Sequence, residues 1–105
     1  MEVKCLVVGS FETNCYLVIK NNECIIMDPG DNVKEIINEC KNYNVLEIIV
    51  THHHFDHIGA LKELENYFNL KHNTFKYKNL FNYDIIKTPG HTDDSISIYF
   101  KSDNL

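Results

Sequence analysis

Thr51-His52-His53-His54-Phe55-Asp56-His57 is the stretch on which the reading of this chain turns. It follows Val45 to Val50, a run rich in β-branched residues that reads as a strand. It precedes Ile58-Gly59, where a helix starts with a small residue near the cluster. Imidazole and carboxylate are the usual ligands of zinc and similar ions. At a strand end, side chains two apart point to the same side, so His52 and His54 form a pair able to grip one ion. Asp56 and His57 follow in the turn, where the backbone reverses and a second ion comes within reach. Four ligand-type side chains within six residues therefore suffice for two metals, and His53 and Phe55 are expected to point away. A solvated histidine-rich loop would need neither the apolar strand before the cluster nor the small residue after it.

Two further features gain meaning beside this one. Thr88-Pro89-Gly90-His91-Thr92 links a short strand to the last one, and its Pro-Gly pair makes a rigid turn that can carry His91 toward the first cluster. Alone, His91 would read as a surface turn histidine; beside a His52–His54 pair that needs a third ligand, it is a candidate. Asp28, in Met27-Asp28-Pro29-Gly30, would by itself be a turn or capping aspartate. At a strand end it can also orient a ligating imidazole from behind.

Outward from these motifs the chain reads as a mixed α/β layered domain. Strands are expected at Val3 to Val8, Cys15 to Ile19 and Cys24 to Met27, with Asn21-Asn22 as a hairpin turn between the last two. From Asn32 the period changes. Val33, Ile36, Ile37, Cys40 and Tyr43 fall at helical spacing, with Asp31 or Asn32 as the cap. Ile58, Leu61, Leu64, Tyr67 and Phe68 form the stripe of a second helix. Thr74 to Lys78 alternates weakly and reads as a short strand, and Ile85-Ile86 as another. Ser95 to Phe100 alternates clearly, with Ile96, Ile98 and Phe100 on one face. Sites in such folds lie at the C-terminal ends of strands, which is where the histidine cluster falls.

Composition narrows the function. The chain has 105 residues, is 44% hydrophobic and 24% charged, and carries a net charge of −5. These values describe an ordinary globular domain, not a disordered chain. All ten basic side chains are lysine. An acidic, arginine-free chain offers no footprint for phosphate backbones and no polybasic face, so neither nucleic acid nor membrane is expected as a partner. The opening MEVKCLVVGS lacks a signal-peptide pattern, and a cytoplasmic location is expected. Cys5, Cys15, Cys24 and Cys40 show no C-x-x-C pairing and read as small buried hydrophobes in a reducing compartment.

Together these residues resemble the metallo-β-lactamase superfamily and, within it, the glyoxalase II-like (hydroxyacylglutathione hydrolase-like) hydrolases. His52-x-His54-x-Asp56-His57 matches the H-x-H-x-D-H signature, including Thr51 before it and Ile58-Gly59 after it. Thr88-Pro-Gly-His91-Thr92 matches the next histidine motif. Thr13-Asn-Cys-Tyr-Leu17 and Asp28-Pro-Gly30 resemble the N-terminal strand pair and its aspartate turn. The resemblance runs from Cys5 to the end. It implies the N-terminal half of an αβ/βα sandwich, a mixed sheet with helices on one face, as a single domain over residues 1–105. It also implies that His52, His54 and His91 hold the first metal and that Asp56 and His57 hold the second. Asp28, Thr51 and Thr92 would support those ligands without touching the ions.

The same resemblance implies a metal-dependent hydrolase of a thioester or small ester. Metal-bound hydroxide would attack, with Asp56 as the catalytic residue that orients it. Two Zn2+ are the expected cofactor, with iron or manganese as alternatives. An iron-dependent persulfide dioxygenase is the rival within the superfamily. The family's bridging aspartate and late histidine follow the strand that here is Ser95 to Phe100. Asp103 lacks the preceding glycine of that aspartate's pattern and reads as a solvated acid. Asp94 stands where many relatives have glycine, and the segment from His57 to His91 is short for the family. The length is therefore expected to reflect a cut at the C-terminus. The second class of reading is a silent metal-binding fragment, or half of an assembly that self-associates or recruits a missing C-terminal half through an uncovered sheet face and the edge at Ser95 to Phe100.

Overall fold

The computed structural model describes residues 1–51, 58–88 and 95–101. Its elements are β1 (Glu2–Val8), β2 (Thr13–Lys20), β3 (Glu23–Met27), α1 (Val33–Cys40), β4 (Asn44–Ile49), α2 (Leu61–Phe68), α3 (Lys78–Phe81), β5 (Tyr83–Lys87) and β6 (Ile96–Phe100). Strands β1 to β4 form one mixed sheet in chain order: β1–β2 and β2–β3 are antiparallel, and β3–β4 is parallel. Strands β5 and β6 form an antiparallel ribbon.

Local chemistry explains the turns. Lys20 pairs with Glu23, which leaves Asn21 and Asn22 as a two-residue hairpin loop, at φ 51° and 66°. Asparagine tolerates this left-handed region, and two such residues in succession match the twist of the flanking strands. At the start of α1, Asn32 occupies the cap position at φ 60° but its side chain makes no capping bond. Instead the Asp31 carboxylate accepts from the Asn32 backbone N–H at 2.8 Å. The expected side-chain cap is thus replaced by a bond one residue earlier.

The sheet has two unlike faces. Cys15, Leu17, Cys24, Ile26, Ile48 and Val50 face the helix side, where Ile36 and Cys40 of α1 and Leu61 and Leu64 of α2 close the core. Burying one such Leu or Ile contributes about 1.5–3 kcal/mol, so this face holds most of the apolar stabilisation. Val18, Ile25, Met27 and Ile49 face the other way, against Tyr83 and Phe100 of the ribbon and Phe81 of α3. The two longer helices therefore share one face, as expected, and the one-turn α3 lies with the ribbon.

One irregularity shapes this second layer. The β3–β4 register slips between Cys24 and Ile25, which pair with Val45 and Glu47, so Leu46 is an extra residue on β4. The bulge lets both Leu46 and Glu47 turn to the ribbon side. Glu47 is 1% exposed, and its carboxylate accepts from the Tyr83 hydroxyl at 2.7 Å and the Tyr77 N–H at 3.4 Å. A buried carboxylate needs such donors, and these tie β5 and the approach to α3 onto β4.

The short strand expected over Thr74 to Lys78 is absent. That segment is turn followed by the start of α3, with Asn73 and Phe75 at φ 54°. Left-handed residues two apart break an extended run.

Candidate metal centre

Because β3 and β4 are parallel, their C-terminal ends lie at one edge, with Met27 beside Ile49. Asp28 is the first residue past β3. It is 6% exposed, sits at φ 55°, and its N–H donates to the Ile49 carbonyl at 2.9 Å. Its carboxylate bonds Thr51 twice. Oδ1 accepts from the Thr51 N–H and Oδ2 from the Thr51 hydroxyl, each at 2.7 Å. A left-handed, buried, doubly bonded aspartate is a costly arrangement that persists only where its surroundings over-determine it. Here it fixes the residue immediately before His52.

Thr51 is also the meeting point with the ribbon. Its carbonyl accepts from the Ile96 N–H at 2.7 Å. Thr88 N–H in turn donates to the Ser95 carbonyl at 3.0 Å, and the Thr88 and Ser97 hydroxyls lie 3.1 Å apart. The backbone thus leaves for residues 89–94 and returns from them at one bonded pair. That pair adjoins the point where the chain leaves for residues 52–57.

The aspartate turn is held from the helix side as well. The Ala60 N–H donates to the Pro29 carbonyl at 2.9 Å. A Cβ at Gly59 would stand 1.9 Å from the Gly30 carbonyl oxygen. Only glycine permits that approach, which gives the small residue beside the histidine cluster its physical reason.

Of the residues singled out in the sequence, Asp28 and Thr51 are brought together directly. His52, His54, Asp56, His57, His91 and Thr92 lie outside the described residues, as do Asp94 and Asp103. Among the described residues, no group of three or more His, Cys, Asp or Glu side chains is placed to hold a metal. The metal reading therefore rests on segments 52–57 and 89–94.

Two residues at this edge and beneath it escaped the sequence reading. One is Glu47, whose burial depends on the β4 bulge. The other is Asn73, whose carboxamide bonds both backbone groups of Val50. Neither had a spacing signal.

The cysteines belong elsewhere. Cys15, Cys24 and Cys40 lie in the helix-side core, and all four cysteines are free. Burial pushes the Cys15 thiol well above its usual range. A hydrogen bond with Cys40, together with burial, does the same to Cys24. Cys5 departs from the expectation of burial: it is exposed on β1, because β1 is the sheet edge and its ribbon-side face extends beyond the ribbon.

Comparison with known proteins agrees with this fold. The model of the metallo-beta-lactamase superfamily matches residues 8–73, well over half of the chain. A probable metallo-hydrolase of Bacillus subtilis, YqgX, is 43% identical over 60 residues, which cover 54% of this chain and 28% of that protein. A hydroxyacylglutathione hydrolase of Psychromonas ingrahamii is 30% identical over 117 residues, covering 90% of this chain and 46% of that protein. The chain thus spans less than half the length of these curated relatives. Among solved structures, the BLEG-1 B3 metallo-beta-lactamase superposes with a TM-score of 0.84 at 23% identity, covering 97% of this chain and 68% of that one. TTHA1623, solved in a di-iron-bound form, superposes with a TM-score of 0.79 at 19% identity, covering 95% of this chain and 68% of that one. Identities this low speak for the fold, and the matched residues speak for the family. The chain belongs to the metallo-β-lactamase superfamily.

Proposed function

We propose that this chain carries the metal-binding portion of a metal-dependent hydrolase acting on a thioester or small ester. The single observation that carries the reading is the Asp28–Thr51–Ile96 connection. One buried carboxylate and one threonine join the three segments that bear the family motifs at a single edge. The donor set fits the ions: imidazoles at His52, His54 and His91, and a carboxylate with a further imidazole at Asp56 and His57, are the ligands zinc takes. Iron or manganese would be accepted by the same donors, and the di-iron form of TTHA1623 supports keeping iron in view.

When bound, such ions polarise a carbonyl and bring the pKa of water from near 16 toward about 7. The chain's own contributions are separate from this. His52, His54 and His91 would hold one ion, and Asp56 and His57 the other. Asp56 orients the attacking water toward the acyl carbon. Asp28 fixes Thr51, and with it the direction in which the chain enters the ligand segment. Water adds across the acyl–sulfur bond, its oxygen going to the acyl carbon and its proton to the departing thiolate. The hydroxyacylglutathione hydrolases among the relatives favour a thioester over a simple ester.

The test is metal content followed by turnover. The protein is stripped with a chelator and dialysed against Zn2+. Thiol release is then followed from a hydroxyacylglutathione thioester. Retained zinc, lost when His52 and His54 are both changed to alanine, together with thiol release, is the expected result. No retained zinc refutes the metal centre. Zinc retained without thiol release refutes the hydrolytic reading of this chain and favours a metal-binding fragment.

A further inference from the structure

We propose that Asn73 is a positioning residue for the ligand segment that begins at His52, an inference that rests on the metal-centre reading above. The exit of β4 is gripped on two sides. On the β3 side Asp28 bonds Ile49 and Thr51. The opposite edge of β4 has no paired strand among the described residues, and there Asn73 bonds the residues between. Its Oδ1 accepts from the Val50 N–H at 2.7 Å, and its Nδ2 donates to the Val50 carbonyl at 3.0 Å. Its own N–H donates to the Ile48 carbonyl at 2.9 Å.

In a ladder, a neighbouring strand would meet the outward N–H and C=O of alternate residues, here Ile48 and Val50. The backbone of Asn73 meets the Ile48 carbonyl, and its carboxamide meets both groups of Val50. A planar amide carrying one acceptor and one donor is the side-chain copy of a peptide unit. Asn73 thus extends the β4 ladder to the last residue but one before His52. Asp28 clamps Thr51 from the other side. The pair leaves the backbone entering the ligand segment with its hydrogen bonds satisfied on both edges, so its direction is fixed before any ion arrives. Ligands held in this way lose less freedom on binding a metal. Removing a partner that bonds a ligand directly typically weakens metal affinity by about 10–100-fold, and Asn73 acts one step further back, so the lower end of that range applies.

The conformation of Asn73 supplies a clean variant. At φ 54° it lies in the left-handed region, which glycine adopts without strain. Asn73→Gly therefore removes the carboxamide and keeps the backbone bond to Ile48. The probe is Co2+, titrated into chelator-stripped 105-residue protein and followed by its visible absorption. Tyr83→Phe serves as the control: it removes a buried hydrogen bond to Glu47, away from the ligand segment, and thermal melts place the two variants on one stability scale.

The expected result is a Kd for Co2+ raised about tenfold or more in Asn73→Gly, with an altered absorption band, and an unchanged Kd in Tyr83→Phe. Should Asn73→Gly fail to fold, Asn73→Asp is measured instead. It keeps the shape and Oδ1 but loses the donation to the Val50 carbonyl, and the same weakening is expected. Co2+ binding by the folded variant that equals the unaltered chain overturns the inference alone. An unaltered chain that binds no Co2+ overturns both the inference and the metal-centre reading. Equal weakening in Tyr83→Phe reduces Asn73 to general stability and also overturns it.

Discussion

Replacing Gly59 by alanine tests the packing of the aspartate turn against the chain entering α2. The added Cβ would lie 1.9 Å from the Gly30 carbonyl oxygen and 3.1 Å from its carbon, where real Cβ atoms essentially never approach below 3.0 Å. The two backbones must part by at least about 1 Å, and neither is free to move in a close-packed interior. The Pro29 carbonyl is bonded to the Ala60 N–H at 2.9 Å, and Asp28 is bonded to Ile49 and twice to Thr51. Overpacking of this kind costs about 1–3 kcal/mol. Losing the Ala60–Pro29 bond adds about 0.5–1.5 kcal/mol. A destabilisation of about 2–4 kcal/mol follows, read by guanidinium unfolding under circular dichroism. In a domain of this size it corresponds to a fall in Tm of at least about 8 °C. Helix propensity alone predicts the opposite sign, since alanine exceeds glycine by about 1 kcal/mol in a helix. A Gly59→Ala protein within about 0.5 kcal/mol of the parent, or more stable than it, would refute the close approach and with it the tight coupling of Asp28 to the start of α2.

Three other outcomes follow from the same structure. Cys5 is exposed whereas Cys15, Cys24 and Cys40 are buried, so an aromatic disulfide reagent should modify a single thiol quickly in the native protein and the rest only in denaturant. Equal rates would contradict the core assignment. Burial works against ionisation of Glu65, but the His72 N–H at 2.9 Å and ring Nδ1 at 3.1 Å hold its carboxyl below the ordinary value near 4.5. A depressed folded-state value stabilises above the unfolded value and is lost as pH falls through the folded one. Glu65→Gln should therefore cost about 1 kcal/mol at pH 7, and the gap between the two proteins should close below about pH 4; a gap that persists undiminished at pH 3 would exclude this source. Finally, a cavity of about 240 Å³ between the sheet and β6 is lined by Val3, Tyr16, Val18, Met27, Ile98 and Phe100. Apolar surface left open in this way favours association, so sedimentation should show concentration-dependent self-association, and a strict monomer that binds no hydrophobic dye would count against it.

Much of the fold was legible because its signals are local. Alternation set β6, helical spacing set α1 and α2, and Asn21-Asn22 announced the hairpin. What escaped depends on contacts distant in sequence. Glu47 looks like an ordinary solvent-facing residue of β4 until the register slip at Leu46 turns it inward toward Tyr83. No periodicity reveals a bulge in advance, because the slip is set by packing against β3 and the ribbon. Thr74 to Lys78 alternates as a strand would, yet left-handed residues at Asn73 and Phe75 defeat it. Two weak alternations do not outweigh the backbone bonds that Asn73 makes to β4.

The site divides along the same line. Ligand chemistry is written in short motifs, so His52, His54, Asp56, His57 and His91 could be named from type and spacing. The bonds that fix the chain just before the first of these segments join partners that lie 23 residues apart in sequence, as Asp28 does from Thr51 and Asn73 from Val50. Asp28 was still accessible, because an aspartate directly after a strand and before Pro-Gly is conspicuous. Asn73 was not, because asparagine is frequent in this chain and a side chain that imitates a strand leaves no mark on hydropathy. Asn73 lies on the connection between Phe68 of α2 and Lys78 of α3, and from there its carboxamide and its own N–H meet the outer edge of the chain leaving β4 much as a further strand would.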